Sequence, residues 1–482
     1  MSTKDNTVKI QRGNTGVALK AGLWYVISTF LVKALAFITT PIFSRIMSES
    51  DYGEFSNYAY WQSILLIIIG LEMFNTLSRA YFDYSEEYDE YVSSVVFGTW
   101  IISALFYIIF LVSGQWLYNI ISIPKEFIHI LFFTMAFQSC KSIYLARERT
   151  FYRYKSVAVI SILSLVVPTL ISVILVLCSS EENKLPARIY GFYVPYALIG
   201  VYCAGAILLK RAKFKWKYVK YAIWLGIPLL IHALTAYVLT STNIIITKSM
   251  AGAAAAAKVS IAASAMQILT MLFQAINGAL TMWIMDKLEQ KDPQSVKKCG
   301  VFFSWLAALV VIGVMLVAPE LISILGGSKY ADSLYLIPPW AFSIQIQTIT
   351  TICTIILTYD KNVVKSAVVT GITAAASIGG KILIYPSLGY EAFPYVNIVA
   401  FAIIFVGNYI FVLKSPHGNA IDLKGMLLPL VISGGFVALS FVLYDNRLIR
   451  YAVILSIIAG GLLFLYKTKN IWKELIKKKK KA

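Results

Sequence analysis

Runs of about 20 apolar residues recur along almost the whole chain, and this spacing limits the possible folds more than any other feature. A helix needs about 20 mostly apolar residues to cross the roughly 30 Å hydrocarbon core of a bilayer. The runs extend from Val17 to Tyr466, with no polar stretch long enough to fold by itself. The chain is 59% hydrophobic and only 14% charged, which is far from a soluble composition. We therefore expect one membrane domain.

The apolar runs predict an all-α polytopic membrane protein with about fourteen transmembrane helices. Each run between two polar breaks is taken as one span. The spans fall near residues 17–43, 57–79, 92–114, 127–146, 156–178, 187–209, 219–247, 257–284, 300–318, 335–358, 364–386, 391–413, 425–444 and 449–466.

The basic residues predict the orientation of these spans. An even number of spans puts both termini on one side, and with the termini in the cytoplasm the inside segments hold about 32 of the 43 basic residues. The net charge of +19 therefore reflects membrane topology, and we expect no nucleic-acid partner. The chain is predicted to lie in the cytoplasmic membrane of the cell, where its basic tail would attract anionic lipid headgroups.

A weak internal repeat indicates two related halves. Residues 44–65 can be aligned with residues 247–269 with one gap, and other short similar segments have nearly the same offset. We expect a six-helix lobe over 1–215, a second over 216–415, and two additional helices with a basic tail over 416–482. Two halves with an even number of helices are related by an axis along the membrane normal. A substrate is expected in the cleft that such halves leave between them.

Several short motifs occur in a fixed order along nearly the whole chain. They are Gly22-Leu23-Trp24-Tyr25, Thr40-Pro41, Ser44-Arg45-Ile46-Met47, Asp51-Tyr52-Gly53-Glu54-Phe55, Pro319-Glu320-Leu321-Ile322, Gly326-Gly327-Ser328-Lys329-Tyr330 and Tyr385-Pro386 with Gly389-Tyr390. Together they resemble the polysaccharide-export flippases of the multidrug/oligosaccharidyl-lipid/polysaccharide exporter superfamily. The second half departs from that pattern at Ser241-Thr242-Asn243, Ala257-Lys258-Val259-Ser260, Met282-Trp283 and Gly380-Lys381.

The resemblance implies a transporter that flips an undecaprenyl-diphosphate-linked oligosaccharide repeat unit from the cytoplasmic to the outer leaflet by alternating access. A polysaccharide polymerase and glycosyltransferases would be its protein partners, and no cofactor is implied. A cation- or proton-coupled multidrug antiporter of the same superfamily is the alternative. That function would require carboxylates in the cleft, whereas this chain offers more lysine there.

Three lysines within the predicted spans are the main candidates for cargo contact: Lys33, Lys258 and Lys381. A lysine at a helix centre costs at least ~2.5–3.5 kcal/mol on insertion scales, so it usually faces a partner or a wet cavity. The lysines could hold the diphosphate of the lipid carrier. Alternatively, each could extend to an interface or pair with a carboxylate. The remaining predicted cavity residues are Arg45, Trp24, Tyr25 and Trp61, whose aromatic members could stack on sugar rings.

Two further residues could take part in ion or proton coupling. Glu72 lies in the second span and could instead neutralise Lys33 or Arg79. His232 lies in the seventh span and could titrate near neutral pH, although a hydrogen-bonded core histidine is the commoner outcome. The acidic loop between Asp83 and Glu90 is predicted to be cytoplasmic and solvated.

The sequence does not predict an enzyme. Catalysis on lipid-linked sugars needs an acid/base pair or a metal-binding acidic motif, and neither is evident. The five cysteines show no metal-type spacing. No phosphate-cradling glycine loop and no large outer loop is evident either. We expect neither a metal site nor a disulfide framework.

Overall fold

The computed structural model describes residues 37–113, 115–209 and 213–467, and all regular elements in these ranges are helical. The first described helix, α1, covers 37–46. The following helices are α2 Glu49–Gly70, α3 Leu77–Asp83, α4 Tyr88–Val112, α5 Gln115–Ile121, α6 Ile128–Thr150, α7 Tyr154–Cys178, α8 Lys184–Leu208, α9 Trp216–Ala251, α10 Ala253–Glu289, α11 Pro293–Leu325, α12 Ile337–Tyr359, α13 Val363–Leu388, α14 Phe393–Leu413, α15 Leu423–Tyr444 and α16 Arg447–Lys467.

The helices confirm the predicted fold class. Every predicted span from 57–79 onward coincides with a long helix or a bent helix pair, and the described end of the first span is α1. Within the described ranges, nine helices are long and apolar enough to cross a membrane, or eleven if each of two bent pairs counts as one span. The helix α6 is long enough but more polar than these, because it contains residues such as His129, Gln138 and Lys141.

The chain divides into two compact units, Met1–Leu234 and Thr235–Ala482, with the boundary inside α9. In the first unit, α8 packs against both α6 and α7. In the second unit, α12 packs against α14 and α11 packs against α15. The lobe boundaries expected from the internal repeat remain predictions.

The second predicted span is broken between α2 and α3. Leu71 and Glu72 both adopt left-handed backbone conformations, with φ angles of 45° and 51°, and the chain bends by 47° there. Gly226 of α9 packs against this break, since a Cβ atom at Gly226 would lie 2.2 Å from the Leu71 carbonyl oxygen. Only glycine permits that approach without displacing the backbone.

An ion-pair network joins the start of α4 and the residue before it to the start of α9 and the segment before it. Glu87 contacts Lys215 at 2.9 Å and Lys217 at 3.1 Å, and Glu90 contacts Lys215 at 2.7 Å and Lys213 at 3.2 Å. The Tyr218 hydroxyl also donates to Glu87. The acidic loop that was predicted to be solvated therefore packs against a basic segment that follows it by more than 100 residues.

The close contact between α6 and α8 depends on Gly200. A Cβ atom there would lie 2.2 Å from the Phe137 carbonyl oxygen. We predict that Gly200→Ala destabilises the protein by about 1–3 kcal/mol, because the two helices must separate. Gly205→Ala on the same helix is the control, since no atom lies within 4 Å of its added Cβ. Thermal unfolding of the purified variants measures the difference, and equal melting temperatures would contradict this account of the packing.

The network makes stability depend on pH. Hydrogen bonds from Tyr218, Lys215 and Lys217 lower the pKa of Glu87 from 4.5 to about 2. The carboxylate therefore stabilises the fold above pH 4.5, and its contribution disappears as the pH falls from there towards about 2. We predict that Glu87→Gln melts below wild type at neutral pH and that the gap narrows in acid. Glu86→Gln, a neighbouring exposed glutamate, should match wild type at every pH.

Candidate functional site

Lys381 lies in α13 of the second unit, and its side chain is completely buried, with 0% exposed. Its Nζ atom donates a hydrogen bond to Thr242 Oγ1 of α9 at 3.1 Å. No carboxylate among the described residues forms an ion pair with it. A buried ammonium group usually has a counter-charge, so a single hydroxyl partner leaves this charge unneutralised.

The second unit also contains buried amide and hydroxyl groups with unused hydrogen-bonding capacity. Both amide atoms of Asn243 and of Gln345 have no partner among the described residues, and neither has the Ser377 hydroxyl. Asn243 follows Thr242 in α9, and Ser377 lies one turn before Lys381 in α13. Buried polar groups without partners are few in native proteins, and these three residues are all more than nine-tenths buried.

Lys258 occupies a different environment near the start of α10. Its Nζ atom pairs with the carboxylate of Asp332, and its carbonyl oxygen accepts a hydrogen bond of 2.9 Å from the Ser333 hydroxyl. The Asp332 side chain is 65% exposed. Lys258 is therefore bound to a carboxylate, which is the structural alternative that the sequence left open.

Arg45 and Trp61 lie in the first unit, in separate surroundings. Arg45 is exposed and donates from Nη1 to the carbonyl oxygen of Pro41, one turn earlier in α1, at 2.8 Å. Trp61 packs at the edge of an apolar cluster that contains Tyr58 and Tyr193. The Trp61 Nε1 atom is buried and has no acceptor among the described residues.

The remaining predicted site residues are only partly described. Lys33, Trp24 and Tyr25 lie outside the described residues, as does the side chain of His232. Glu72 lies at the helix break, where its carboxylate accepts a hydrogen bond from Asn75 Nδ2 at 2.6 Å. Arg79, one of the partners suggested for Glu72, instead forms an ion pair with Asp83 at 3.0 Å.

Arg188 in α8 was not among the predicted site residues, although it lies within the predicted span 187–209. Its guanidinium carbon lies 3.4 Å from the ring centroid of Phe43 and 4.1 Å from that of Phe55. Its Nη1 atom donates to Ser172 Oγ at 2.9 Å, whereas its buried Nε atom has no acceptor among the described residues. Arg188 is 7% exposed and makes no ion pair within the described part of the chain.

Lys141 in α6 was overlooked in the same way, although it lies within the predicted span 127–146. Its Nζ atom lies 4.1 Å from the ring centroid of Tyr196 and also contacts the Tyr196 hydroxyl. One turn earlier, Gln138 Oε1 accepts a hydrogen bond of 2.5 Å from Gln62 Nε2 of α2. A basic residue inside an apolar run, the criterion that identified Lys381, would have identified both Lys141 and Arg188.

A cavity of about 730 Å³ lies in the first unit between α4 and α6. Its walls are mainly aromatic, and polar groups are contributed by Glu126, by Ser103 and by His129, which is hydrogen-bonded to the Tyr107 hydroxyl. None of the predicted site residues whose side chains the structure describes lines this cavity. Among the described residues no three His, Cys, Asp or Glu side chains are grouped closely enough to hold a metal ion.

The chain is similar to known proteins in its family and in its fold. The family described as polysaccharide biosynthesis protein matches residues 18–288, whereas no curated protein matches the sequence. The structure of the lipid II flippase MurJ in an inward closed conformation has a TM-score of 0.71 at 14% identity, covering 93% of this chain and 99% of that chain.

Structures of multidrug transporters are also similar to the chain. An inward-facing multidrug resistance MATE family transporter of the MOP superfamily has a TM-score of 0.57 at 14% identity, covering 84% of this chain and 94% of that chain. An outward-facing transporter of the same description has a TM-score of 0.54 at 10% identity, covering 87% of this chain and 96% of that chain. At these identities the likeness shows a common fold, that of membrane transporters with many spans.

Proposed function

The chain belongs to the polysaccharide biosynthesis protein family, and from this premise we propose that it flips an undecaprenyl-diphosphate-linked oligosaccharide repeat unit across the cytoplasmic membrane. Its fold is that of the multidrug/oligosaccharidyl-lipid/polysaccharide exporter superfamily. The cargo would enter from the cytoplasmic leaflet and leave at the outer leaflet by alternating access, with both termini of the protein in the cytoplasm.

The observation that supports this cargo most is the charge of Lys381, which no carboxylate among the described residues neutralises. A lysine is costly at membrane depth, and such residues usually mark substrate pathways. An ammonium group without a carboxylate is suited to bind a phosphate or acidic sugar and unsuited to bind a cation. Because Lys381 is completely buried, cargo could reach it only after a conformational change, as an alternating-access cycle requires.

The antiporter alternative depends on carboxylates within the membrane. Glu72 is the leading candidate, and its carboxylate is held by the Asn75 amide rather than by a cation among the described residues. A proton could be exchanged at such a group, but a cationic substrate would encounter Lys381 as an unfavourable charge. The anionic cargo therefore agrees better with the charges of the described residues.

We predict that deletion of the gene causes the lipid-linked oligosaccharide to accumulate in the cytoplasmic leaflet, because its translocation stops. Leaflet location can be measured by treating intact and permeabilised cells with an enzyme that cleaves only accessible glycan. Expression of the gene from a plasmid should make the glycan accessible again to the enzyme in intact cells. Unchanged access after deletion, together with increased sensitivity to cationic drugs, would instead support the antiporter.

We predict that Lys381→Met abolishes export while the protein remains at least as stable as wild type. Methionine has a similar length, and replacing a buried charge by an apolar side chain is often neutral or stabilising. Thermal unfolding and the glycan-access assay measure the two properties separately. Lys365→Gln, an exposed lysine on the same helix, is the control and should retain both. Normal export by Lys381→Met would exclude Lys381 from the cargo path.

A further inference from the structure

Two cations in the first unit are connected by a column of aromatic rings on one face of α8. The Arg188 guanidinium carbon lies 5.4 Å from the ring centroid of Phe192. Phe192 in turn lies nearly parallel to Tyr196, with 5.8 Å between ring centroids. Lys141 approaches Tyr196 from α6 at 4.1 Å. Residues 188, 192 and 196 are spaced by four, so that their side chains share one face of the helix.

The two cations lie at different depths. Arg188 is four residues from the start of α8 and thus near one end of the helix. Tyr196, whose ring contacts Lys141, is eight residues further along α8, which corresponds to a rise of about 12 Å. Lys141 is also near the middle of α6, fourteenth of its 23 residues. If α8 crosses the bilayer, Arg188 would lie near an interface and Lys141, which contacts Tyr196, would lie nearer the bilayer centre.

No carboxylate among the described residues forms an ion pair with either cation, and the two cations differ in geometry. The rings of Phe43 and Phe55 lie against the Arg188 guanidinium, and the Ser172 hydroxyl accepts a hydrogen bond from its Nη1 atom. The Nε and Nη2 atoms form one edge of the guanidinium, and among the described residues no acceptor is bound to that edge. Such an edge can donate two parallel hydrogen bonds to one phosphate. Lys141 is a point charge whose partner in the described part of the chain is Tyr196 alone.

We propose that Arg188 binds the diphosphate of the cargo and that Lys141 binds an acidic group on its sugar part, so that the cargo is an acidic glycan. This inference rests on the proposed flippase function. The rings of Phe192 and Tyr196, with centroids 5.8 Å apart, lie between the two cations. Adjacent phosphates of a diphosphate share one bridging oxygen, so a single diphosphate is too short to contact both cations across two rings. A second negative group is needed, and in a lipid-linked oligosaccharide it must lie on a sugar, for example as a uronic acid carboxylate.

The competing explanation is that aromatic rings stabilise both cations as part of the fold. Cation–π contacts contribute about as much as one hydrogen bond, so they offset only part of the desolvation of a charge. A cation with a purely structural role would also be more stable with a carboxylate at its open edge than with no acceptor there. The two explanations differ in what substitution does to ligand binding, and this difference can be measured.

The test uses the full-length protein in nanodiscs of uncharged phosphatidylcholine. The probes are farnesyl diphosphate, a disaccharide containing one uronic acid, and the matched neutral disaccharide. We expect wild type to prefer the uronic disaccharide to the neutral one. Arg188→Gln should weaken farnesyl diphosphate binding about tenfold to hundredfold without changing disaccharide binding. Lys141→Gln should weaken binding of the uronic disaccharide by a similar factor without changing farnesyl diphosphate binding.

Control variants separate binding from folding. Lys184→Gln lies on the same helix and loses only an ion pair with Glu181, so it should bind both probes as wild type does. Arg188→Lys keeps the charge but lacks the paired edge, and it should still lose affinity for the diphosphate. Variants that melt earlier but bind both probes normally would show a structural role and overturn the proposal. Equal binding of the acidic and neutral disaccharides by wild type would also overturn it.

The glycan-access assay in cells distinguishes this inference from the proposed function. If wild type restores export and Lys141→Gln exports an acidic glycan equally well, the acidic-cargo inference is wrong and the flippase function stands. If wild type does not restore export, the proposed function itself fails. We expect wild type to export and Lys141→Gln to export an acidic glycan at least about tenfold more slowly.

Discussion

A polar or charged group surrounded by hydrocarbon must find its partner inside the protein, and this constraint governs the whole structure. It requires the backbone to be helical, because each N–H and C=O is then paired within its own segment. It also directs the hydroxyl side chains. Thr99 donates to the Val95 carbonyl oxygen at 2.9 Å, and Thr247 donates to that of Asn243 at 2.6 Å. In both cases the partner lies four residues earlier in the same helix, so no lipid contact is needed.

The same constraint divides the cations by how completely they are satisfied. Lys258 has a carboxylate partner in Asp332, which neutralises its charge. Arg188 has aromatic rings against its guanidinium and one hydroxyl at Nη1, so one edge is left without a partner among the described residues. Among the described residues, Lys381 has a single partner, the Thr242 hydroxyl. The remaining electrostatic cost increases along this series, and groups that keep such a cost usually have a functional reason.

Sequence patterns predicted the spans because hydropathy is a local property, whereas the features that depend on distant contacts were not predictable. The apolar run through Ile64–Leu71 does not reveal the break before Glu72, which packs against Gly226. The acidic loop gave no sign of its basic partners, since Glu87 and Lys215 are far apart in sequence. Lys141 and Arg188 could be found from the sequence, but their aromatic partners could not, because those lie mostly on other helices.

The distribution of carboxylates differs from what stability alone would favour, because some buried cations have a carboxylate partner and others have none among the described residues. The chain has 24 acidic residues, enough to neutralise every cation within its helices. Several instead occupy the ends of helices and the loops, where Glu87 and Glu90 neutralise Lys213, Lys215 and Lys217. Those lysines are half-exposed, so water could also solvate their charges, and they need a carboxylate partner less than a cation within the membrane does. Lys141, Arg188 and Lys381, which lie within predicted spans, make no ion pair within the described part of the chain. The proposed anionic cargo rests on these cations, which keep an uncompensated charge among the described residues.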